Sequence, residues 1–266
     1  MTAVEPKPAS TLLTLREVTT DQGNQLQVFM IVRHKKIDFA SGALVFPGGK
    51  VAEYDYGDIR KHCIQADDFD DIELALRIAA IRETFEESGL LFARNANEDH
   101  YIEDNEQAHL RQYRDAINAK EITFAEFIQK ENLQLAVNTL IPFAHWVTPE
   151  MVPKRFDTHF YITPAPASQV ASPDGNESVD ALWIEANDAV QQGEEGKLTV
   201  IFPTRMNLQK LGNHATIKDA IESAKRGPIV TVEPWTEVID GKTYMCIPKD
   251  AGYAENQIPI EAIMQR

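Results

Sequence analysis

Short blocks of apolar residues separated by turn residues predict a series of β-strands along the chain. The clearest block, residues 26–32, is an almost continuous apolar run of the kind found in strands buried on both faces. The turn cluster Asp21-Gln22-Gly23-Asn24 divides this strand from an earlier one. The predicted strands are residues 11–18, 25–34, 44–51, 140–147, 155–162 and 179–184.

A helical pattern covers residues 71–88, where Leu74, Ile78, Ile81 and Phe85 form one apolar stripe. The opposite stripe begins with apolar residues and ends with three carboxylates. Asp70 and the residues after it can form an N-terminal capping box, and Gly89 stands where a left-handed C-terminal residue is expected. The pattern predicts a helix that is covered at its start and faces a cleft at its end.

Weaker patterns predict further helices and a hairpin. The predicted helices are residues 105–118, a short helix capped by Thr123, a helix opened by Pro203 and a helix capped by Thr216. In the tail, Asp240-Gly241 predicts the turn of a hairpin over residues 229–248, either attached to the sheet or forming an oligomer contact. A homodimer would follow from the second arrangement. Strands and helices together indicate an α/β protein.

The three carboxylates are Glu83, Glu86 and Glu87. Their spacing of three and four residues makes them neighbours, and each like-charged pair costs about 0.2–0.5 kcal/mol. They also lie at the negative end of the helix dipole, where an acidic group costs about 0.3–1 kcal/mol. Mg²⁺, which takes carboxylate, phosphate and water oxygens, would offset both costs. The alternative is an ordinary solvated acidic helix face.

Upstream, a short apolar strand runs into Gly48-Gly49, a pair that allows close approach of the backbone to a ligand. Counted from there, the sequence resembles the Nudix box, G-x5-E-x7-R-E-U-x-E-E-x-G-U, where U is a bulky aliphatic residue. The matching residues are Gly49, Arg82, Glu83, Glu86, Glu87, Gly89 and Leu90. Asp55 stands where Glu is usual, Thr84 replaces an aliphatic residue, and about 19 residues near positions 56–74 are inserted.

The resemblance implies a Nudix α/β/α sandwich with a mixed β-sheet, a helical insertion and a C-terminal β-hairpin appendage. It implies a Nudix domain over residues 10–225, with the box at 49–90, the helical insertion at about 100–135, and the appendage at 226–266. It also implies that Glu83, Glu86 and Glu87 bind Mg²⁺ or Mn²⁺, that Arg82 orients the carboxylates, and that Glu83, Glu87 or Glu177 accepts a proton.

Two further sets of residues indicate which Nudix enzymes the sequence resembles most. Phe29, Met30, Arg33, Gly42 and residues 46–49 share the register of L-L-T-x-R-[S/A]-x3-R-x3-G-x3-F-P-G-G, which coenzyme A-cleaving Nudix enzymes carry ahead of the box. Ile31, His34 and Asp38 depart from it, and Asp38 replaces an arginine. Residues 146–149 and 155–158 resemble the branch with a long insertion inside its box, whose mammalian member is an acyl-coenzyme A diphosphatase.

The resemblance predicts hydrolysis of a diphosphate bond in a small nucleotide derivative, with coenzyme A or acyl-CoA as the first choice. The predicted substrate-binding residues are Arg33, Gly48, Gly49, Lys50 and Arg155. ADP-ribose, NADH, nucleotide sugars and dinucleoside polyphosphates remain alternative substrates. A non-catalytic Nudix ligand sensor and a plain acidic interaction protein are the competing functional classes. The repelling Glu residues argue against the sensor, and an interaction protein would not explain the Gly-Gly turn or the spacing of the box.

Composition limits the partners. A net charge of −15 and a pI near 4.9 argue against nucleic-acid binding and against a polybasic membrane contact. Cys63 and Cys246 lie far apart and predict neither a disulfide framework nor a zinc site. Residues 1–10 lack the apolar stretch of a signal peptide, and no run approaches 18 apolar residues. We expect a soluble, cytoplasmic protein.

Overall fold

A mixed β-sheet lies between helices in the structure, a computed structural model that describes residues 4–21, 23–34, 41–103, 109–175 and 178–264. Among these residues, the strands are β1 (Lys7–Thr20), β2 (Gly23–Arg33), β3 (Leu44–Val45), β4 (Gly48–Lys50), β5 (Ala93–Asn95), β6 (Leu133–Leu135), β7 (Ile141–Val147), β8 (Phe156–Pro164), β9 (Ser178–Glu185), β10 (Thr231–Val232), β11 (Trp235–Ile239), β12 (Lys242–Cys246) and β13 (Gln257–Pro259). The α-helices in the same ranges are α1 (Asp71–Ser88), α2 (Arg111–Asn118), α3 (Phe124–Lys130), α4 (Ala186–Glu194), α5 (Phe202–Leu211), α6 (Ile217–Ala224) and α7 (Ile260–Met264).

Strands β1 and β2 are paired over only part of their length and then separate. The last residues of β1 pair antiparallel with β2, from Leu15 opposite Val28 to the turn at Gly23. Closer to the N-terminus, β1 pairs with β4, so that Ser10 lies opposite Gly49, while β2 pairs with β3. The segment β3–β4 therefore fills the fork between the two strands and brings the Gly48-Gly49 turn into the sheet.

The order of the sheet confirms a mixed arrangement, because it contains parallel and antiparallel neighbours. Its main path is β10-β7-β8-β1-β2-β3, with β4 on β1 and β9 on β2. β1 runs parallel to β8, and β10 runs parallel to β7, while the other pairs are antiparallel. The apolar residues 26–32 lie in β2, which pairs with β9 on one side and with β1 and then β3 on the other, as their continuous run predicts.

Two hydrophobic clusters cover the two faces of the sheet. One contains the apolar stripe of α1, with Leu74, Ile78, Ile81 and Phe85 at 0–3% exposure, and the other contains α4, α5 and α6. The predicted α/β/α class is confirmed. The opposite stripe of α1 is also covered from Leu76 onward, whereas Ile72, expected to be covered, is 63% exposed because it lies in the first turn.

The helical insertion packs on α1 through aromatic contacts. Phe85 stacks on Phe127 with ring centroids 5.4 Å apart, and Phe124 contacts both rings. Thr123 forms the predicted capping box with Glu126. The helix predicted over residues 105–118 begins at Arg111 in the structure, and residues 104–108 lie outside the described part of the chain.

The insertion inside the box is folded into short helical turns. Residues Gly57–His62 and Ala66–Asp68 are 3₁₀ helices, and residues 71–74 of the predicted insertion already belong to α1. Ile59 is buried, and the backbone N–H of Ile64 donates to the carbonyl of Leu135. The insertion inside the box therefore packs against strand β6, at the end of the helical insertion.

The C-terminal tail contributes to the main sheet and also forms a sheet of its own. β10 pairs with β7, while β11, β12 and β13 form a separate antiparallel sheet. Asp240 and Gly241 have φ angles of 50° and 78°, as the predicted type I′ turn requires. The tail is held to the domain by Trp146, whose indole N–H donates to the hydroxyl of Tyr253.

Three further observations concern the expectations from the sequence. Cys63 and Cys246 are both buried free thiols. In the described ranges, none of the helices has the length and apolar character needed to cross a membrane. Helix α4 was not predicted, and its N-cap residue Glu185 makes no capping hydrogen bond that would mark its start.

Candidate active site

The C-terminal end of α1 is fixed by hydrogen bonds to its last carbonyl groups. These groups lack partners within a helix and must find them elsewhere. The donors come from the left-handed Gly89 (φ 75°), from α2, and from Ser172 and Ser178. The bonds are Gly89 N–H to Phe85 O (2.8 Å), Arg114 Nε to Glu86 O (2.8 Å), Ser178 Oγ to Glu87 O (3.1 Å) and Ser172 N–H to Ser88 O (2.8 Å). The turn that carries the carboxylates is therefore held in place from three parts of the chain.

The Gly48-Gly49 turn lies directly against two of the three carboxylates. The Gly48 N–H donates to Glu87 Oε2 at 2.9 Å. A Cβ atom on Gly49 would lie only 2.4 Å from the Glu83 carboxylate. The pair of glycines is thus needed for close contact with side chains of α1, as well as for any ligand that approaches the same turn.

Arg82 forms hydrogen bonds both to the carboxylates and to the backbone next to the Gly-Gly turn. Its Nη1 donates to Glu83 Oε1 at 2.7 Å and to Glu86 Oε1 at 3.4 Å, and its Nη2 donates to the carbonyl of Lys50 at 2.8 Å. The predicted orienting contact is therefore present in the geometry. Burial lowers the pKa of Arg82, but Glu83 and the other nearby carboxylates outweigh it and raise that pKa overall.

Asp55 is the main partner of Arg82. Two parallel hydrogen bonds of 2.9 Å join the guanidinium to the Asp55 carboxylate, and the two side chains are 3% and 0% exposed. The Asp55 carboxylate also accepts the N–H of Ala52 at 2.8 Å. Sequence comparison with the box left the role of Asp55 open because of the insertion after it. In the structure, Asp55 contacts Arg82, because the insertion folds into the short turns described above and does not separate the two residues.

Glu86 shows the electrostatic strain of the cluster. Burial raises the pKa of Glu86 to about 7, Arg82 opposes the shift, and the neighbouring Glu83 adds to it. The carboxylates of Glu83, Glu86 and Glu87 supply hard oxygen ligands on one helix end, with an unfavourable charge balance that a divalent cation would relieve. This donor set fits Mg²⁺ or Mn²⁺.

The structure separates the other predicted site residues. Arg33 lies at the end of β2 opposite Ser178, which bonds the Glu87 backbone, and its buried Nε atom has no partner among the described residues. Lys50 is exposed beside Gly49. Glu177 lies outside the described residues.

Arg155 requires a correction. Its buried guanidinium donates to the carbonyls of Thr148 and Val4 and to the carboxylate of Glu233, at 2.6–2.9 Å. These contacts tie the N-terminal segment and the tail to β8, and none of them involves the carboxylate cluster. The sequence pattern correctly predicts a strand next to Arg155. The sequence does not reveal which carboxylates and carbonyl groups the side chain of Arg155 contacts.

Two residues at the site were missed by sequence reasoning. The ring of Tyr54 lies under the Arg82 guanidinium at 5.5 Å. Arg114 from the helical insertion caps α1 through Glu86. Tyr54 could have been found from its position next to Asp55, whereas no local signal marks Arg114.

Comparison with known proteins decides the family. The family profile described as the NUDT19 Nudix domain matches residues 60–211, more than half of the chain. The chain belongs to the Nudix hydrolases. Within them it falls in the NUDT19 branch, as the insertion inside the box indicates, and the predicted enzyme class, a Nudix-type pyrophosphohydrolase, is confirmed.

Two relatives illustrate the similarity. The chain is 26% identical over 274 residues to the acyl-coenzyme A diphosphatase NUDT19 of Xenopus laevis, covering 86% of this chain and 72% of that protein. It is also similar to the crystal structure of a NUDIX hydrolase from Alicyclobacillus acidocaldarius, with a TM-score of 0.66 and 28% identity, covering 85% of this chain and 99% of that one. Nudix hydrolases use divalent metals, which agrees with the donor set at the end of α1.

One departure from the Nudix box is explained by the structure. Thr84, at a position usually aliphatic, is buried and donates its hydroxyl to the carbonyl of Ala80 at 2.7 Å. A buried hydroxyl that is satisfied within its own helix costs little, so the residue fits its apolar surroundings.

Proposed function

We propose that this Nudix hydrolase cleaves the diphosphate bond of coenzyme A or of an acyl-CoA, giving 3′,5′-ADP and phosphopantetheine or its acyl ester. The name of the Xenopus relative supports this substrate, as does the partial register of residues 29–49 with coenzyme A-cleaving enzymes. The departures at Ile31, His34 and Asp38 make the substrate the part of the proposal that most needs a test.

A single arrangement carries the proposal of hydrolysis: two carboxylates of α1 lie against the Gly48-Gly49 turn, with the Arg82–Asp55 pair beneath them. Such an arrangement presents oxygen ligands and backbone amides at one place. A ligand sensor would have no need to keep three mutually repelling carboxylates on one helix end.

Glu83, Glu86 and Glu87 would hold Mg²⁺ or Mn²⁺, which when bound neutralises the diphosphate and lowers the pKa of a coordinated water. Arg82 holds the carboxylates of Glu83 and Glu86 at fixed positions through its two contacts of 2.7 and 3.4 Å. The Gly48 N–H holds Glu87 in the same way. The site therefore needs little rearrangement to present its oxygens to a ligand.

In the proposed reaction, a water oxygen bonds to one phosphorus atom while the bridging P–O bond breaks and the other phosphate leaves. A carboxylate removes the proton from the water, and Glu83 and Glu87 are the candidates that the structure describes, with Glu177 from the following loop as the third. Arg33 is proposed to bind a substrate phosphate, because its buried Nε has no partner among the described residues. Lys50 and the backbone of the Gly48-Gly49 turn are proposed to bind the same substrate phosphate.

The test is a product screen with the metal-free 266-residue chain plus Mg²⁺ or Mn²⁺. Coenzyme A, acetyl-CoA, ADP-ribose, NADH, nucleotide sugars and diadenosine polyphosphates are incubated separately, and the products are identified by mass. We expect 3′,5′-ADP from coenzyme A or acetyl-CoA. Glu222→Gln, on the distant helix α6, is the control variant and should retain activity.

The outcomes separate the competing functions. Turnover of another diphosphate with no cleavage of either coenzyme A compound would replace the substrate but keep the reaction. Saturable binding of one of these compounds without turnover by the metal-loaded protein would instead favour a ligand sensor and contradict the proposed hydrolysis.

A further inference from the structure

A second cluster of ligand-type side chains lies on the main sheet, outside the carboxylate site. It consists of His145 on β7 and Asp157 and His159 on β8. One ligand atom from each residue lies within 4.8 Å of the other two, and no other three histidine, cysteine or acidic residues in the described ranges come together in this way. The proposed hydrolysis makes no use of this cluster.

Strand geometry explains why the three side chains meet. Asp157 and His159 are two residues apart on β8 and therefore point to the same face of the sheet. His145 is the cross-strand partner of His159, and their rings stack with centroids 4.1 Å apart and planes 25° from parallel. A pair two residues apart on one strand, completed by a residue of the neighbouring strand, presents three ligands to one point in space.

The cluster lies within the sheet and not on a loop. His159 is paired with Ser10 of β1 on one side, and His145 is paired with Thr231 of β10 on the other. β7 and β8 thus have a bonded neighbour on each outer side. Ligands on such strands hold their geometry better than ligands on loops.

Outer contacts orient the imidazole rings. His145 Nδ1 lies 2.8 Å from the hydroxyl of Thr231, and His145 Nε2 is in hydrogen-bond contact with the Asp157 carboxylate, which can only accept. An ion that displaced this hydrogen bond would bind the tautomer that donates from Nδ1 to Thr231, with the lone pair on Nε2. His159 Nε2 lies 3.8 Å from the same carboxylate oxygen. A histidine that binds a metal through one ring nitrogen usually donates a hydrogen bond from the other, and this hydrogen bond fixes the tautomer.

The charge state also suits a ligand. Burial, with His145 as a second cause, lowers the pKa of His159 to about 4, so its imidazole is neutral at neutral pH. The three side chains are 19–36% exposed, which leaves a path for an ion from solvent. The carboxylates of Asp157 and, more weakly, of Glu73 at the start of α1 raise the pKa of His159, but they do not offset the effects of burial and of His145.

We propose that His145, Asp157 and His159 bind a late first-row divalent cation, with Zn²⁺ as the representative ion. Two imidazoles and one carboxylate suit Zn²⁺ and its neighbours in the series better than Mg²⁺, which prefers oxygen ligands alone. Three protein ligands leave a coordination position for water. The ion would join β7 to β8 across the sheet, and binding to the folded state alone would stabilise the protein. The competing interpretation is a plain His–Asp hydrogen bond with no metal.

The test is equilibrium dialysis of the metal-free 266-residue chain against micromolar Zn²⁺ in the presence of millimolar Mg²⁺, which competes for the carboxylate site. We expect one Zn²⁺ per chain for the wild type and binding weaker by about tenfold or more for His159→Asn and Asp157→Asn. His214→Asn, a histidine outside the cluster, is the matched control and should bind as the wild type does. Glu83→Gln should also retain Zn²⁺, because it alters only the carboxylate site.

Two further measurements keep the test decisive. Co²⁺ in place of Zn²⁺ should give a visible absorption band that both cluster variants lose and Glu83→Gln keeps. Zn²⁺ should raise the melting temperature of the wild type but not that of Asp157→Asn, which covers the case in which His159→Asn fails to fold. No Zn²⁺ bound to the wild type, or equal binding by the wild type and both cluster variants, would overturn the proposal, whatever the product screen shows.

Discussion

At Gly49, the space that a Cβ atom would need is taken by the Glu83 carboxylate, 2.4 Å from the ideal Cβ position. An added methyl group must push away either the carboxylate or the backbone. Because a displacement of about 1 Å at a reacting centre can cost about 10²-fold in rate, we expect Gly49→Ala to lower kcat/KM by roughly that factor. The measurement is steady-state turnover with saturating Mg²⁺.

Gly227→Ala is the matched control for this change. A Cβ atom there meets nothing within 4 Å, and the φ angle of Gly227 is not in the left-handed region. Its turnover should equal that of the wild type. If Gly49→Ala also retained full turnover, the close contact between the Gly-Gly turn and Glu83 would have no part in the reaction.

Glu87→Gln and Glu83→Gln test which carboxylate accepts the proton. The glutamine carbonyl can still accept the Gly48 N–H at position 87, so the fold should survive while the basic group is lost. For the residue that acts as the base, kcat should fall by about 10²–10⁴-fold, and the acidic limb of the pH–rate profile should disappear with it. Equal residual rates and unchanged profiles in both variants would favour Glu177.

At the scale of elements, the buried pair Asp55–Arg82 joins the 3₁₀ turn Glu53–Asp55 to helix α1. Removing one partner of a buried pair leaves the other charge without compensation. We expect Asp55→Asn to lower the free energy of unfolding by about 3–5 kcal/mol, measured by urea denaturation. Asp58→Asn, which breaks an exposed pair with Lys61 in the same insertion, should leave the unfolding midpoint almost unchanged. Similar midpoints for both variants would contradict the structural role of Asp55.

The same elements show what the sequence can and cannot reveal. The bounds of α1 follow from local signals, since Asp70 accepts the N–H of Glu73 and Gly89 adopts a positive φ. The contacts that close its end cannot be predicted locally, because Arg114 and Ser178 come from segments far along the chain. The same limit applies to Arg155. Its partners Val4 and Glu233 lie far from it in the sequence, so the sequence does not reveal these contacts and predicts phosphate binding instead.

At the scale of the whole molecule, the raised pKa of Glu86 links folding to pH. The folded chain holds the proton up to about pH 7, whereas the unfolded chain releases it near the ordinary value of 4.5. Between these values the folded state binds more protons, so the free energy of unfolding of the metal-free protein falls as pH rises, by about 3 kcal/mol in total. Below pH 4.5 this contribution is fully present.

The measurement is urea unfolding of metal-free wild type and Glu86→Gln between pH 4.5 and 8. The difference between the two proteins isolates Glu86 from other titrating groups. We expect the variant to be the more stable protein at pH 8, by an amount that shrinks toward pH 4.5. Mg²⁺ should restore much of the stability that the wild type loses as pH rises, and it should stabilise Glu86→Gln much less. Parallel curves for the two proteins would show that Glu86 does not titrate in this range.

The bonds that close α1 also set an order of events during synthesis. Ser172 and Ser178, which bond the last carbonyls of the helix, are made about 90 residues after it, and strand β9 begins at Ser178. During synthesis, the last turn of α1 is therefore complete in sequence before the residues that hydrogen-bond to its carbonyl groups have been made. Competence for catalysis should arrive abruptly, when the second half of the polypeptide docks, and nascent fragments ending before that point should be inert.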